Sequence, residues 1–391
     1  MTSRFNNIFR VCSIEFRNIM RDHGVVLFVF FVPLLYPLLY AFIYTNETVR
    51  DVPVAVVNDS GSALSRQFVR MLDATPEVRV VASCTDIAEA EHLNRLGEIY
   101  AFVVIPADFD RTLAQGRQAV IGVYADMAGM LYYKSALLAA TNVSLALNKE
   151  LKVERFYTGA TPRQEAIATQ PVDYDYVALY NPQSGFASFL MPAVMMLIIQ
   201  QTLMLGIGMV GGGIRERFNG RALPPMRAFG NPLAVTFGKT IVYFAIYIII
   251  AAYMFTVVNY LFGLPARGRF VTYIAFIVPY ILACIFMGIT FSSFLYRRED
   301  CIVLFVFMSV PLLFISGISW PGAAIPRFWQ WVGMLFPSTY AVNGYVRINS
   351  MGASLGQVAH EFTALWIQTG AYLLLAILFY HLAIRRNSLR R

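Results

Sequence analysis

The chain has 391 residues, 58% of them hydrophobic and only 14% charged, with a net charge of +8 and a mean hydropathy of +0.57. Soluble domains average about 25% charged residues, which excludes an ordinary cytoplasmic enzyme. The charge is also uneven: residues 46–185 hold 12 Lys and Arg against 17 Asp and Glu, and the remainder holds 19 against 6. That pattern predicts an acidic-leaning soluble unit inserted into a basic, apolar frame. The basic excess flanks apolar runs, so it reads as membrane topology and not as nucleic-acid binding.

Residues 3–22 are predicted to form an amphipathic helix. Phe5, Phe9, Cys12, Phe16, Ile19 and His23 share one face, opposite Arg10, Arg17 and Arg21. Residues 1–24 therefore read as a cytoplasmic interface helix against membrane lipid, arginines toward the head groups. Residues 25–44 follow as transmembrane helix 1, an anchor without the small-residue cleavage site of a signal peptide. Residues 45–185 read as an extracytoplasmic α/β domain, because strand patterns (52–57, 78–82, 100–105, 120–124) alternate with helical ones (62–73, 86–96, 130–156).

The remainder, 186–391, is expected to carry transmembrane helices 2–6 over 186–210, 232–261, 270–295, 301–319 and 362–384. The Gly211-Gly212-Gly213 run is expected to end transmembrane helix 2, opening a loop over 211–231. An apolar stretch broken by Pro321, Pro326 and Pro337 suits an outer re-entrant hairpin over 320–337. The fold class predicted is thus a polytopic α-helical membrane protein. It has six transmembrane helices plus the hairpin, and the α/β domain inserted after the first span. Fourteen arginines fall on segments assigned inside, among them Arg4, Arg215, Arg297 and Arg391, against Arg267, Arg269, Arg327 and Arg347 outside. Both termini are then cytoplasmic, and 45–185 lies outside a cytoplasmic (inner) membrane of bacterial type.

Chemistry is sparse along this sequence. The four cysteines show no CxxC spacing, and the four histidines no HExxH or paired-ligand spacing, so catalytic and metal sites are expected to be absent. Gly238-Lys239-Thr240 ends like a phosphate-binding loop, yet position 233 is Leu and Asn231-Pro232 opens a helix where a strand is required. Lys239 is instead expected to snorkel from the inner interface toward lipid phosphates. No Asp, Glu or His lies deep in a span, which argues against proton or ion coupling and points to an energy source on another chain. Two rival readings stay open. One is a membrane-anchored sensor or scaffold with an outside ligand-binding domain. The other is a membrane enzyme built around Arg297-Arg298-Glu299-Asp300.

The layout resembles the ABC-2 type permeases, the membrane halves of ATP-binding-cassette exporters. The likeness is carried by Glu15 with Arg21-Asp22 and Pro33, by Val54–Asn58 with Ser65-Arg66, and by Val104–Phe109 and Asn181-Pro182. Further along it is carried by Arg215-Glu216-Arg217 with Gly220, by Gly238-Lys239, and by Ile315–Pro321 continuing to Phe336–Tyr340. The resemblance implies a dimer with a second permease copy or homologue, and a cytoplasmic ATPase subunit under each half. ATP and Mg would sit on that partner, with no cofactor in this chain, and a hydrophobic or amphipathic substrate such as a drug or lipid would be exported. An envelope or periplasmic adaptor is a further partner it leaves open. It also implies roles by position. Arg215, Glu216, Arg217, Phe218, Asn219, Gly220, Arg221 and Leu223 would dock the ATPase. Glu15, Arg17, Arg21 and Asp22 would serve the interface helix. Ser316, Gly317, Trp320, Pro321, Pro326, Pro337 and Tyr340 would form an outer gate, with an interfacial aromatic belt as the alternative. The loop departs from the family pattern at Arg221, where a small polar residue is usual, and lacks the downstream Glu.

Overall fold

A computed structural model describes residues 2–156, 161, 163–164, 179–182, 184–217, 232–295 and 297–389. Two compact units are present, one of residues 1–47 with 178–391 and one of residues 48–177.

Helix α1 (Thr2–Arg21) opens the larger unit, and α2 (His23–Ile43) follows after a break at Asp22. The Asp22 side chain makes that break, accepting from the N–H groups of Gly24 and Val25, which α2's own first turn leaves unpaired. The buried edge of α1 is Val11, Glu15 and Ile19, whereas Phe9 and Phe16 are exposed. Ile19 of the expected apolar face therefore packs inside the protein, while Phe9 and Phe16 stay on its surface. Within α2 a π turn over Leu27–Phe31 ends two residues before Pro33, a position at which proline's missing N–H already breaks the α ladder.

The smaller unit is a four-stranded sheet in the order β2-β1-β3-β4. Strands β1 (Val52–Asn58), β2 (Val78–Cys84) and β3 (Ala101–Ile105) are parallel, and β4 (Gly122–Ala125) runs antiparallel to β3. Central β1 buries both faces, as a near-continuous run of valines requires. Helices α3 (Ala63–Asp73) and α4 (Ile87–Leu96) make the parallel crossovers, capped by Ser62 and Asp86. A short α5 (Phe109–Ala114) and the long α6 (Met130–Phe156) complete the unit.

In the larger unit, α7 (Phe186–Arg217), α8 (Pro232–Leu261), α9 (Phe270–Ser292), α10 (Arg298–Ile315), α11 (Arg327–Met334), α12 (Pro337–Met351) and α13 (Ala359–Leu389) follow. Five helices are long and apolar enough to cross a membrane among the described residues: α2, α7, α8, α9 and α13 over Ala359–Leu382. Expected span 301–319 corresponds to α10, which has 18 residues and begins with Arg298, Glu299 and Asp300. Central α7 is apolar all round and its most apolar stretch is wholly buried, ringed by α2, α9, α10 and α12. It also corrects the expected span end, running straight through Gly211-Gly212-Gly213 to Arg217. Gly211 and Gly212 serve packing there: a Cβ on Gly212 would lie 2.9 Å from the Arg297 carbonyl oxygen, and one on Gly211 3.1 Å from the Ser292 Cβ.

Candidate coupling site

Arginine-bearing ends of the helices converge in the larger unit. Glu15 of α1 and Lys239 of α8 form an ion pair at 3.1 Å, their side chains 3% and 7% exposed. The Tyr243 hydroxyl, one helical turn beyond Lys239, donates to the same Glu15 oxygen at 3.1 Å. Tyr380 of α13 adjoins the ammonium. This overturns the snorkelling reading of Lys239, because a carboxylate supplied by α1 holds the charge inside the protein. Gly238 brings the two helices that close. A Cβ there would meet the Val11 Cβ at 2.7 Å and the Ile8 carbonyl oxygen at 3.1 Å. Cys12 adds a hydrogen bond from its thiol to the Gly238 carbonyl, 3.1 Å. Burial, with Glu15 nearby, raises the Cys12 pKa above that of a free thiol.

A second junction joins three elements at the turn between α9 and α10. Asp22, just after α1, pairs with the Arg298 guanidinium, and Glu216 near the end of α7 accepts from the Arg298 backbone N–H at 2.8 Å. Arg215 reaches the Leu295 carbonyl at 2.5 Å, and Asp300 accepts from the Arg297 N–H at 3.1 Å, closing the first turn of α10. Glu15, Asp22, Arg215 and Glu216 are thus drawn into two adjoining clusters, whereas Arg17 and Arg21 are exposed on α1. Phe218, Asn219, Gly220, Arg221 and Leu223 lie outside the described residues. Arg298 escaped the sequence reading, which treated the 297–300 charges as topology; its partner is 276 residues away, beyond any local pattern.

Toward the other end, α10 ends at Ser316, which is buried and whose carbonyl accepts from the Asn343 side chain at 3.1 Å. Gly317 follows with φ of +87°, a left-handed conformation that favours glycine. Pro321 precedes a single 3-10 turn, Pro326 caps α11, and Pro337 is the first residue of α12, where a missing N–H is harmless. Trp320 is exposed with Phe328, Trp329 and Trp331, while Tyr340 sits beside the His360 ring, 6.0 Å between centroids. Of the residues expected to form a gate, Ser316 and Pro337 are therefore buried, Gly317 and Tyr340 half-buried, and Trp320, Pro321 and Pro326 exposed. Helix α12 was not foreseen. It buries Ala341, Gly344, Tyr345 and Asn349, and Asn349 ties its end through bonds to the Pro265 carbonyl and the Tyr273 hydroxyl.

A family model described as "ABC-2 family transporter protein" matches residues 23–378. The chain belongs to the ABC-2 transporter family. Its relatives include the inner membrane transport permease YhhJ of Escherichia coli (strain K12), 23% identical over 95% of this chain and 96% of that one. The linearmycin resistance permease protein LnrN of Bacillus subtilis (strain 168) is 20% identical over 90% of this chain and 93% of its own. ABC transporter G family member 20 of Dictyostelium discoideum is 21% identical over 87% of this chain, which spans only 46% of that protein. This ABC-2 chain is a multi-pass membrane protein and a transmembrane subunit of an ABC transporter. ABC-2 permeases work with cytoplasmic ABC ATPase subunits, which gives the two junctions on α1, α7, α8 and α10 their interest.

Proposed function

We propose that this chain is the non-catalytic permease of an ATP-driven exporter, and that the two junctions carry motion from a docked ATPase into the spans. The reading rests chiefly on the Asp22–Arg298–Glu216 junction. It links α1, the end of α7 and the head of α10 at the point where α7 gives way to residues 218–231. A push on that segment then moves α7 and α10 together, and the Glu15–Lys239 pair passes it to α8. In this reading Phe218, Asn219, Gly220, Arg221 and Leu223 contact the ATPase, which holds ATP and Mg, and the chain itself needs no cofactor.

The same reading gives the chain six spans, with α10 completing the set, both termini in the cytoplasm, and residues 45–185 outside. Two copies, or this chain and a homologue, form the pathway. Arg17 and Arg21 meet lipid head groups, and an envelope adaptor is a further candidate partner of the outside unit. Cargo is hydrophobic or amphipathic and leaves the cytoplasm or inner leaflet. Ser316, Gly317, Trp320, Pro321, Pro326, Pro337 and Tyr340 serve an outer gate, in which the Ser316-Gly317 hinge moves the exposed tryptophans.

Co-purification tests the core of the reading: an ABC ATPase is retained with the protein from native membranes in mild detergent, and its consistent absence refutes the reading. Replacing Glu216 and Phe218 with Ala is expected to leave insertion intact and abolish export, and normal export by that variant removes the docking role. A Trp320→Cys pair should cross-link two copies if these residues form a gate, and a lipid-facing belt gives no cross-link.

A further inference from the structure

Midway along central α7, two adjacent glutamines interrupt an otherwise apolar helix. Gln200 is fully buried: its Oε1 accepts from the Ser338 N–H at 2.8 Å, in the first turn of α12. Gln201 is 9% exposed, and both its Nε2 and its Oε1 lack any hydrogen-bond partner. Such a group costs free energy wherever neither water nor protein satisfies it, and most of all in a membrane interior. Gln201 lines a cavity of about 40 Å³ between α7 and α10. The other walls are Met204, Phe291, Leu304, Phe305, Met308, Leu312 and Phe336, without an ionisable group among them.

We infer that this cavity is a binding site for one uncharged hydroxyl or amide group carried by an otherwise apolar molecule. The Gln201 amide offers one donor group and one acceptor, which is the complement of a hydroxyl or an amide. Its volume exceeds the roughly 10–15 Å³ that a water-sized group needs and is far below that of a whole amphiphile, so only the polar head enters. A charged head is excluded, because no counter-charge lines the walls. The inference rests on the permease reading in one respect, in making the occupant part of the cargo. It narrows that cargo to neutral amphiphiles.

The test uses the full chain in phosphatidylcholine nanodiscs and a diazirine analogue of 1-octanol as photolabel, with adducts mapped by mass spectrometry. Adducts are expected on Met204, Phe305 or Met308, suppressed by excess 1-octanol and not by n-octane. Gln201→Leu should lower that labelling at least tenfold, and Met308→Trp should abolish it by filling the cavity while leaving Gln201 in place. Gln201→Leu should also keep its thermal midpoint, because it removes an orphaned amide and no hydrogen bond. Absence of cavity adducts, equal competition by n-octane, unchanged labelling of Gln201→Leu, or a lowered midpoint in that variant each overturns the inference. Labelling requires no ATPase, so a failure here leaves the co-purification result standing, and a failed co-purification leaves this site standing.

Discussion

Replacing Lys239 with leucine removes one half of the buried ion pair and nothing else of comparable size. The Nζ–Oε1 separation is 3.1 Å, which at an effective dielectric near 20 corresponds to about 5 kcal/mol of attraction. Desolvation of both charges offsets much of that in the intact protein. Once the lysine is gone, the Glu15 carboxylate keeps, among the described residues, the Tyr243 hydroxyl, a charge-assisted bond typically contributing about 1.5–3 kcal/mol. Stranding a buried carboxylate in this way costs about 3–5 kcal/mol. The double variant Glu15→Leu/Lys239→Leu strands no charge, only the buried Tyr243 hydroxyl, at about 1–3 kcal/mol, and should regain part of the loss. Thermal unfolding of the four proteins of this cycle in one detergent checks the expectation: the single variant melts clearly lower, and the double variant recovers part of the loss. A double variant as unstable as Lys239→Leu, or a single variant with the parent's midpoint, refutes the reasoning. Export measured beside it separates two roles, since a stable double variant that fails to transport assigns the pair to coupling.

Gly238→Ala places a Cβ against Val11 and the Ile8 carbonyl, so α1 must shift away. Maleimide labelling of Cys12, in a background with Cys84 changed to Ser, should then speed up several-fold. In the smaller unit, burial raises the Cys84 pKa above the ordinary 9.0, with Glu89 and Asp86 adding to the effect. Its alkylation below pH 9 should be slower than that of a free thiol and rise as pH passes above that value. Because the unfolded thiol ionises first, the Cys84 contribution to stability is present below pH 9 and declines as pH rises beyond it. Asp86→Ala removes the cap that accepts from the Glu89 N–H at 2.7 Å, a loss of about 1 kcal/mol. Hydrogen exchange of residues 87–96 should quicken roughly fivefold.

The α/β unit was legible because its signals are local. Valine runs bounded by Asn58-Asp59-Ser60-Gly61, and Ser62 or Asp86 ahead of a helical period, each carry the physics that forms the element. The long apolar helices were legible for the same reason. Lys239 was not, since nothing within its own helix distinguishes a lysine that meets phosphate from one that meets a carboxylate on a helix far away in sequence. Arg298 was hidden likewise behind Asp22. The burial of Glu15 on α1 was not legible because burying an acidic residue runs against periodicity, and only the facing lysine makes Glu15 part of the buried edge. Helix α12 escaped because its small and polar residues, Ser338, Gly344 and Asn349, read as a loop, yet they pack closely or bond to α7, α9 and the 265–268 turn. Gln200 and Gln201 stood in plain view on a span, but an amide adjacent to a cavity looks no different in sequence from one that is fully paired.

Glu15 and Lys239 are 224 residues apart, and that separation has a consequence for biogenesis. At about 5–20 residues per second, α1 is synthesised roughly 10–45 s before the lysine that will hold it. During that interval two membrane helices and the whole 48–177 unit are made, while the Glu15 carboxylate has only water or lipid head groups for company. Closure of the pair is therefore a late event of assembly, a latch that engages only after α8 has been inserted the right way round. A chain with α8 inverted or missing leaves the latch open and Glu15 without its lysine.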